Sequence, residues 1–183
     1  MAYRNGTYVA FAAEDTADPA ASDRKFYELL KAWKVREEGG FEFIDSHEKA
    51  SAVRDSSKKE TLRRSLVTRL RNSKNMILII GKATRYDTDW VPFEIEYAVD
   101  ECKIPMVAAY TDYINIIAPP NARPLWPQAL ADRIDSGAAR IIHVSFRQEP
   151  LKAAVNQFDA NNPPSGSLVY YTLETYRKWG LEK

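Results

Sequence analysis

Apolar and polar positions along the chain fall into short strand-like runs separated by stretches of helical period. Tyr8-Val9-Ala10-Phe11 is a short apolar run, broken by the polar segment Glu14 to Pro19. Phe26, Leu29, Leu30 and Trp33 then recur at i, i+3, i+4 and i+7, which predicts one face of a helix. Ser22 or Asp23 is a suitable N-cap for it, and Gly39-Gly40 a suitable end. Phe41 to Ile44 reads as a second strand, and Asp45 to Ser57 as a polar loop. Leu62, Leu66, Val67 and Leu70 predict a second helix over about Lys58 to Asn72. Asn75 to Ile80 is continuously apolar after its first residue, as a central strand covered on both faces would be, and Gly81 closes it. A helix from Trp90 to Cys102, a buried strand from Ile104 to Tyr110 and a fifth strand from Arg140 to Val144 follow. Pro119, Pro120, Pro124 and Pro127 mark an irregular connection before that fifth strand. A helix over Glu149 to Phe158, a polar turn over Asn161 to Gly166 and a short helix over Leu173 to Trp179 complete the pattern.

Repeated strand–helix alternation predicts an α/β fold with a parallel sheet and helices on both faces. The expected topology is flavodoxin-like, five strands in the order 2-1-3-4-5. Residues 1–183 are expected to form a single domain, with a core over about 6–145 and a helical extension over about 146–183. In such sheets ligands bind beyond the carboxyl ends of the strands, which nominates the loops Ala12 to Asp18, Asp45 to Ser57 and Lys82 to Asp89.

Composition narrows the chemistry. The 26 Lys and Arg residues nearly balance the 25 Asp and Glu residues, giving a net charge of +1. A broad nucleic-acid surface is therefore not expected, and the basic residues over Lys58 to Arg71 read as the solvated face of the second helix. The single cysteine, Cys102, forms no internal disulfide, which fits a reducing compartment. No apolar run approaches the roughly 20 residues that cross a bilayer, and Met1 to Thr7 is polar, so a cytoplasmic, membrane-free protein is expected. Neither His47 nor His143 is spaced with another ligand, so no metal site is expected. Gly-x-Gly-x-x-Gly, Walker-type and Gly-x-Ser-x-Gly motifs are absent. Near the C-terminus, Tyr170, Tyr171, Tyr176 and Trp179 read either as a self-association patch or as packing on the sheet edge.

The segment Trp90 to Cys102 carries an anomaly. At roughly 100° per residue, Val91, Ile95, Ala98 and Cys102 cluster on one side as a core stripe. Glu96 points away from that stripe, whereas Glu94 lies at its border. Its carboxylate is expected to be half-buried, near a helix N-terminus that favours its ionised form while burial opposes it. Either Glu94 serves a ligand crevice, or it is a boundary residue paired with a cation such as Arg85.

Ile79-Ile80-Gly81-x-x-Thr84 followed by Asp89-Trp90-Val91-x-x-Glu94-Ile95-Glu96-x-Ala98 resembles the TIR domain family. More narrowly, it resembles the TIR-like domain of Thoeris antiphage systems, the ThsB-like branch, over about residues 6 to 112. The resemblance implies a flavodoxin-like fold and an enzyme that cleaves nicotinamide from NAD, producing a cyclic or modified ADP-ribose signal for a separate effector protein. NAD would be the substrate, and no cofactor is implied. Self-assembly and a phage-derived trigger are implied as possible controls. The catalytic glutamate of the Trp-x-x-x-Glu motif maps onto Glu94. Phe11 and Ala12, at the end of the first strand, map onto nucleotide contacts, and Asp45 onto a mobile or interface loop. Lys82 and Thr84 map near phosphate or ribose, and Trp90 beside the site. The chain departs from the pattern at Ala10 and Ala12, where many relatives carry serine and another polar residue. TIR domains also serve as non-catalytic assembly adaptors, which is the alternative reading.

Overall fold

The computed structural model of the chain describes residues 4–13, 23–36, 43–44 and 56–182. Its strands are β1 (Gly6–Ala10), β2 (Phe43–Ile44), β3 (Ser73–Ile80), β4 (Met106–Tyr110), β5 (Ile141–Ser145) and β6 (Val169–Tyr170). Its α-helices are α1 (Arg24–Arg36), α2 (Ser56–Arg71), α3 (Trp90–Glu96), α4 (Gln128–Asp135), α5 (Gln148–Gln157) and α6 (Leu173–Lys178).

All six strands form one sheet in the order β2-β1-β3-β4-β5-β6, and every pairing is parallel. The chain reverses its direction of travel across the sheet between β1 and β3, so the topological switch point lies between their carboxyl ends. The expectation of five strands is corrected by β6. This two-residue strand runs beside β5, with Ile142 opposite Val169 and His143 opposite Tyr170. The helical extension expected over about 146–183 thus contains a strand that widens the sheet. What recruits it is polar: Ile141 N–H donates to the Gly166 carbonyl at 2.9 Å, and Arg140 donates to the Ser165 carbonyl at 2.5 Å. Hydrophobic periodicity carries no trace of such a strand.

The strand side chains alternate between two cores. Tyr8, Ala10, Met76, Leu78, Ile80, Met106, Ala108 and Tyr110 face the first. It is covered by Leu62, Leu66 and Leu70 of α2, Val91 and Ile95 of α3, and Leu130 and Ile134 of α4. Val9, Ile77, Ile79, Val107, Ala109, Ile142 and Val144 face the second. Tyr27 and Leu30 of α1 and Leu151, Ala154 and Val155 of α5 close that one. Crossover helices thus lie on both faces, as parallel strands require.

Two further differences concern helices. Helix α4 lies within the Pro-rich connection. Pro127 precedes it as N-cap, and three of its four buried residues after that proline are Ala129, Leu130 and Ala131, too short a stripe to stand out. The helix expected over Trp90 to Cys102 is α-helical only to Glu96 and then widens into a π-turn over Tyr97–Glu101. That turn closes with Cys102 N–H donating to the Tyr97 carbonyl, and Lys103 then takes φ 54°. Among the described residues, no helix is long and apolar enough to cross a membrane.

Candidate functional site

The N-terminus of α3 is built by Asp87. Its Oδ1 accepts the backbone N–H groups of Asp89, Trp90 and Val91 at 3.0, 3.1 and 3.3 Å. Asp89, the residue immediately before the helix, makes no side-chain capping bond, and its carboxylate pairs with Lys59 at 2.7 Å. This anchoring fixes the rotation of α3, and with it the direction of the side chain one turn further on.

That side chain is Glu94, and it points inward. The residue is fully buried, not half-buried as its border position predicts. Its Oε1 accepts the phenolic hydrogen of Tyr8 at 2.5 Å. Tyr8 is itself fully buried in β1, between its strand partners Ile44 and Met76. Burial pushes the Glu94 carboxyl up from 4.5 to about 8, the Tyr8 hydrogen bond opposes that rise, and the nearby Asp87 charge adds to it. The contest between helix terminus and burial is thus won by burial, partly because an acidic side chain already occupies the helix terminus. Arg85, the cation offered as a partner for Glu94, donates instead to the Pro124 carbonyl at 2.9 Å.

A second buried carboxylate stands at the switch point itself. Asp23, immediately before α1, ties its backbone N–H to the Ala12 carbonyl at 3.2 Å, at the end of β1. Its Oδ2 accepts from the Thr84 hydroxyl at 2.7 Å, and that hydroxyl accepts from Gly81 N–H at 2.8 Å. Burial raises the Asp23 carboxyl to about 6 against the lowering effect of the Thr84 and Gly81 bonds. A Cβ on Gly81 would stand 1.9 Å from Asp23 Oδ1, so only glycine lets the carboxylate approach the end of β3.

Thr84, which the resemblance maps near phosphate or ribose, is part of this latch. Thr84 is fully buried and its hydroxyl is engaged on both sides. Phe11, mapped onto a nucleotide contact, stacks its ring on Tyr27 at 4.6 Å in the core on the sheet face opposite Tyr8. Ala12 is buried on the Tyr8 side and offers only its backbone. Lys82 is exposed at the rim, 3.9 Å from Asp112, and remains accessible to a ligand. Asp45 lies outside the described residues.

Trp90 is half-buried and forms one wall of an open cleft of about 520 Å³ between α2 and α3. Lys59 and Arg63 face Phe93, Glu96 and Asp89 across this cleft, and Glu94 is not part of its lining. Trp90, Phe93 and Tyr97 form an aromatic column under Lys59, Arg63 and Arg71, which lie 5.5, 4.5 and 5.7 Å from the respective ring centres. Part of the basic face of α2 is therefore spent on its neighbour and is not simply solvated.

His143 belongs to a separate buried chain. Trp126 Nε1–H donates to the Tyr110 hydroxyl at 2.7 Å, which lies 2.7 Å from His143 Nδ1, while Nε2 lies 2.8 Å from the Ser167 carbonyl. A carbonyl can only accept, so Nε2 carries the proton and Nδ1 accepts from Tyr110. Burial lowers the imidazole to about 4 despite the Ser167 bond, so it is a neutral strut. Among the described residues, no group of His, Cys, Asp and Glu is arranged to hold a metal ion.

Sequence reasoning missed Tyr8 and the carboxylate role of Asp23. One signal for Tyr8 was available: a tyrosine in a central strand must place its hydroxyl on a partner. Asp23 gave none, because its partners lie 58 and 61 positions away at Gly81 and Thr84. Against known families, residues 8–115 match the Thoeris protein ThsB, TIR-like domain. That span includes Tyr8 to Ala10 of β1, the Asp23 latch, Asp87, Trp90 and Glu94, and more than half of the chain. The chain belongs to the family of TIR-like domains of the Thoeris protein ThsB.

Proposed function

We propose that this chain is an NAD-cleaving enzyme of antiphage defence in which Glu94 is the catalytic carboxylate. The observation that supports the reading is the placement of this acid. It lies one turn into α3, is aimed at the sheet, and is held at a fixed rotamer by a buried hydroxyl within the family-matched span. A carboxyl that served only solubility or a surface ion pair would face outward, as Glu96 and Asp89 do.

The reaction asks for one acid. Breaking the bond between ribose C1′ and the nicotinamide nitrogen sends the bonding electron pair onto the pyridinium ring. The ring leaves neutral and needs no proton. The ribose is left as an oxocarbenium-like cation, and a carboxylate beside it stabilises that charge and orients the ribose hydroxyls. Water then attacks C1′ and loses a proton, or a nucleophilic atom of the adenosine half closes a cyclic product. Glu94 is mostly protonated at neutral pH in the unliganded protein. The positive charge of the nicotinamide ring would favour its ionised form on binding. Lys82 would meet the pyrophosphate at the rim, and Trp90 would flank the entrance. The nucleotide product would act on a separate effector protein. Because Glu94 is fully buried, turnover would require an opening step, for which self-assembly or a phage-derived trigger is the proposed cause.

The adaptor reading draws on the same burial and on Ala10 and Ala12, which remove side-chain polarity from the end of β1. Nicotinamide release separates the two. Protein incubated with NAD, alone and in extracts of phage-infected cells, should yield nicotinamide and an ADP-ribose derivative by mass spectrometry. Glu94→Gln should lower turnover at least a hundredfold while leaving the fold intact. Equal product from folded Glu94→Gln and from wild type would remove Glu94 from the reaction, and no product in any condition would favour the adaptor.

A further inference from the structure

We propose that Tyr8 is a positioning residue for Glu94: its hydroxyl holds the carboxyl in one orientation and favours the ionised form that the reaction uses. The inference rests on the enzymatic reading above and extends it to a residue in a different element.

The geometry is specific. Tyr8 sits in β1 with strands on both sides, so its ring has no lateral freedom. The distance of 2.5 Å to Glu94 Oε1 is at the short end for an O–H···O bond. Both residues are fully buried. The next two residues of β1 and its exit on that face are Ala10 and Ala12, so no other side chain of the strand can supply the donor. A phenylalanine facing a leucine would fill the same space without burying two polar groups, so packing alone does not account for the pair. The phenol donates to the carboxylate and so opposes the desolvation that favours the protonated acid. Tyr8 thereby sets how much of the anion is present at a given pH and where its oxygens point.

The test uses the full chain. The carboxyl stretch of Glu94, assigned by its loss in Glu94→Gln, is titrated by infrared spectroscopy in wild type and Tyr8→Phe, and the pH profile of nicotinamide release is recorded in both. Loss of the hydroxyl should move the titration midpoint up by about one unit. It should lower kcat about tenfold at neutral pH with KM little changed, and the deficit should shrink as pH rises. An unmoved midpoint, or a deficit equal at every pH, would overturn the role of Tyr8. Should Tyr8→Phe fail to fold, 3-fluorotyrosine placed at position 8 gives the same test with the sign reversed. Its more acidic phenol is a stronger donor and should lower the midpoint, and an unchanged midpoint there overturns the proposal. A wild type that never releases nicotinamide sinks the enzymatic reading itself, and the Tyr8 role with it. A wild type that does, with an unshifted Tyr8→Phe profile, sinks only the Tyr8 role.

Discussion

Replacing Glu94 by glutamine should make the protein more stable above neutral pH, although it removes the acid assigned to catalysis. The carboxyl is raised from 4.5 to about 8 by burial. Between those two values the folded protein keeps a proton that the unfolded chain has released. Stability from this group is therefore complete below about pH 4.5 and is lost as pH climbs through 8. Over pH 6.5 to 8.5 the loss amounts to about 2 kcal/mol. Glutamine has no proton to lose, its carbonyl accepts from Tyr8 as the carboxyl does, and its amide stands where the protonated oxygen stood. His143, at about 4, has finished titrating below this window, and Asp23, at about 6, completes its titration alike in both proteins and cancels in the difference. Groups titrating in the unfolded chain are shared by both proteins and cancel in the difference. Urea denaturation at pH 6.5, 7.5 and 8.5 should show wild type losing about 2 kcal/mol more than Glu94→Gln over that span, or roughly 4–8 °C in melting temperature for a chain of this size. Parallel curves for the two proteins would refute the reasoning, because they would mean that the carboxyl titrates alike in the folded and unfolded states.

Two further changes probe the frame around the acid. Gly81→Ala places a Cβ 1.9 Å from Asp23 Oδ1, and Asp23 is held by Thr84 and by its own backbone bond to Ala12, so the overlap should cost roughly 1–3 kcal/mol in urea denaturation. Tyr110→Phe leaves Trp126 Nε1–H and His143 Nδ1 buried without the hydroxyl between them, and should destabilise by about 1–3 kcal/mol, whereas an unpaired surface hydroxyl would cost almost nothing.

The alternation of strands and helices was legible because most strands are long, apolar and bracketed by amphipathic helices. Asn75 to Ile80 announced β3, and Phe26, Leu29, Leu30 and Trp33 announced α1. What escaped was held by polarity or by distance. The strand β6 is fastened by backbone carbonyls at Ser165, Gly166 and Ser167, which leave no mark in side-chain pattern. Helix α4 was hidden by four prolines, one of which starts it. The helical wheel placed Glu94 at the edge of the apolar stripe, which pointed to a half-buried acid. It could not see that Tyr8, 86 residues away, would draw the carboxyl the rest of the way in. Thr84 shows the converse. Its place after β3 suggested a ligand contact, yet its partner is another side chain, Asp23, brought there by α1.

The burial that makes Glu94 costly is also what would give it leverage. In water a carboxylate lowers the energy of a nearby cation only slightly, because solvent screens the pair. In the interior above Tyr8, the same charge would act through a poorly screening medium on a developing positive centre. The unliganded site stays uncharged by keeping its proton, so it avoids the desolvation cost of a buried charge while it waits. A pyridinium ring beside it would tip that balance, whereas an uncharged ring of the same shape would not. An acid placed this way would be quiet in the resting protein and would charge only beside the ring it helps to expel. The carboxyl is closed to solvent in this state, so control of activity would lie in whatever uncovers it and not in the chemistry of the acid itself.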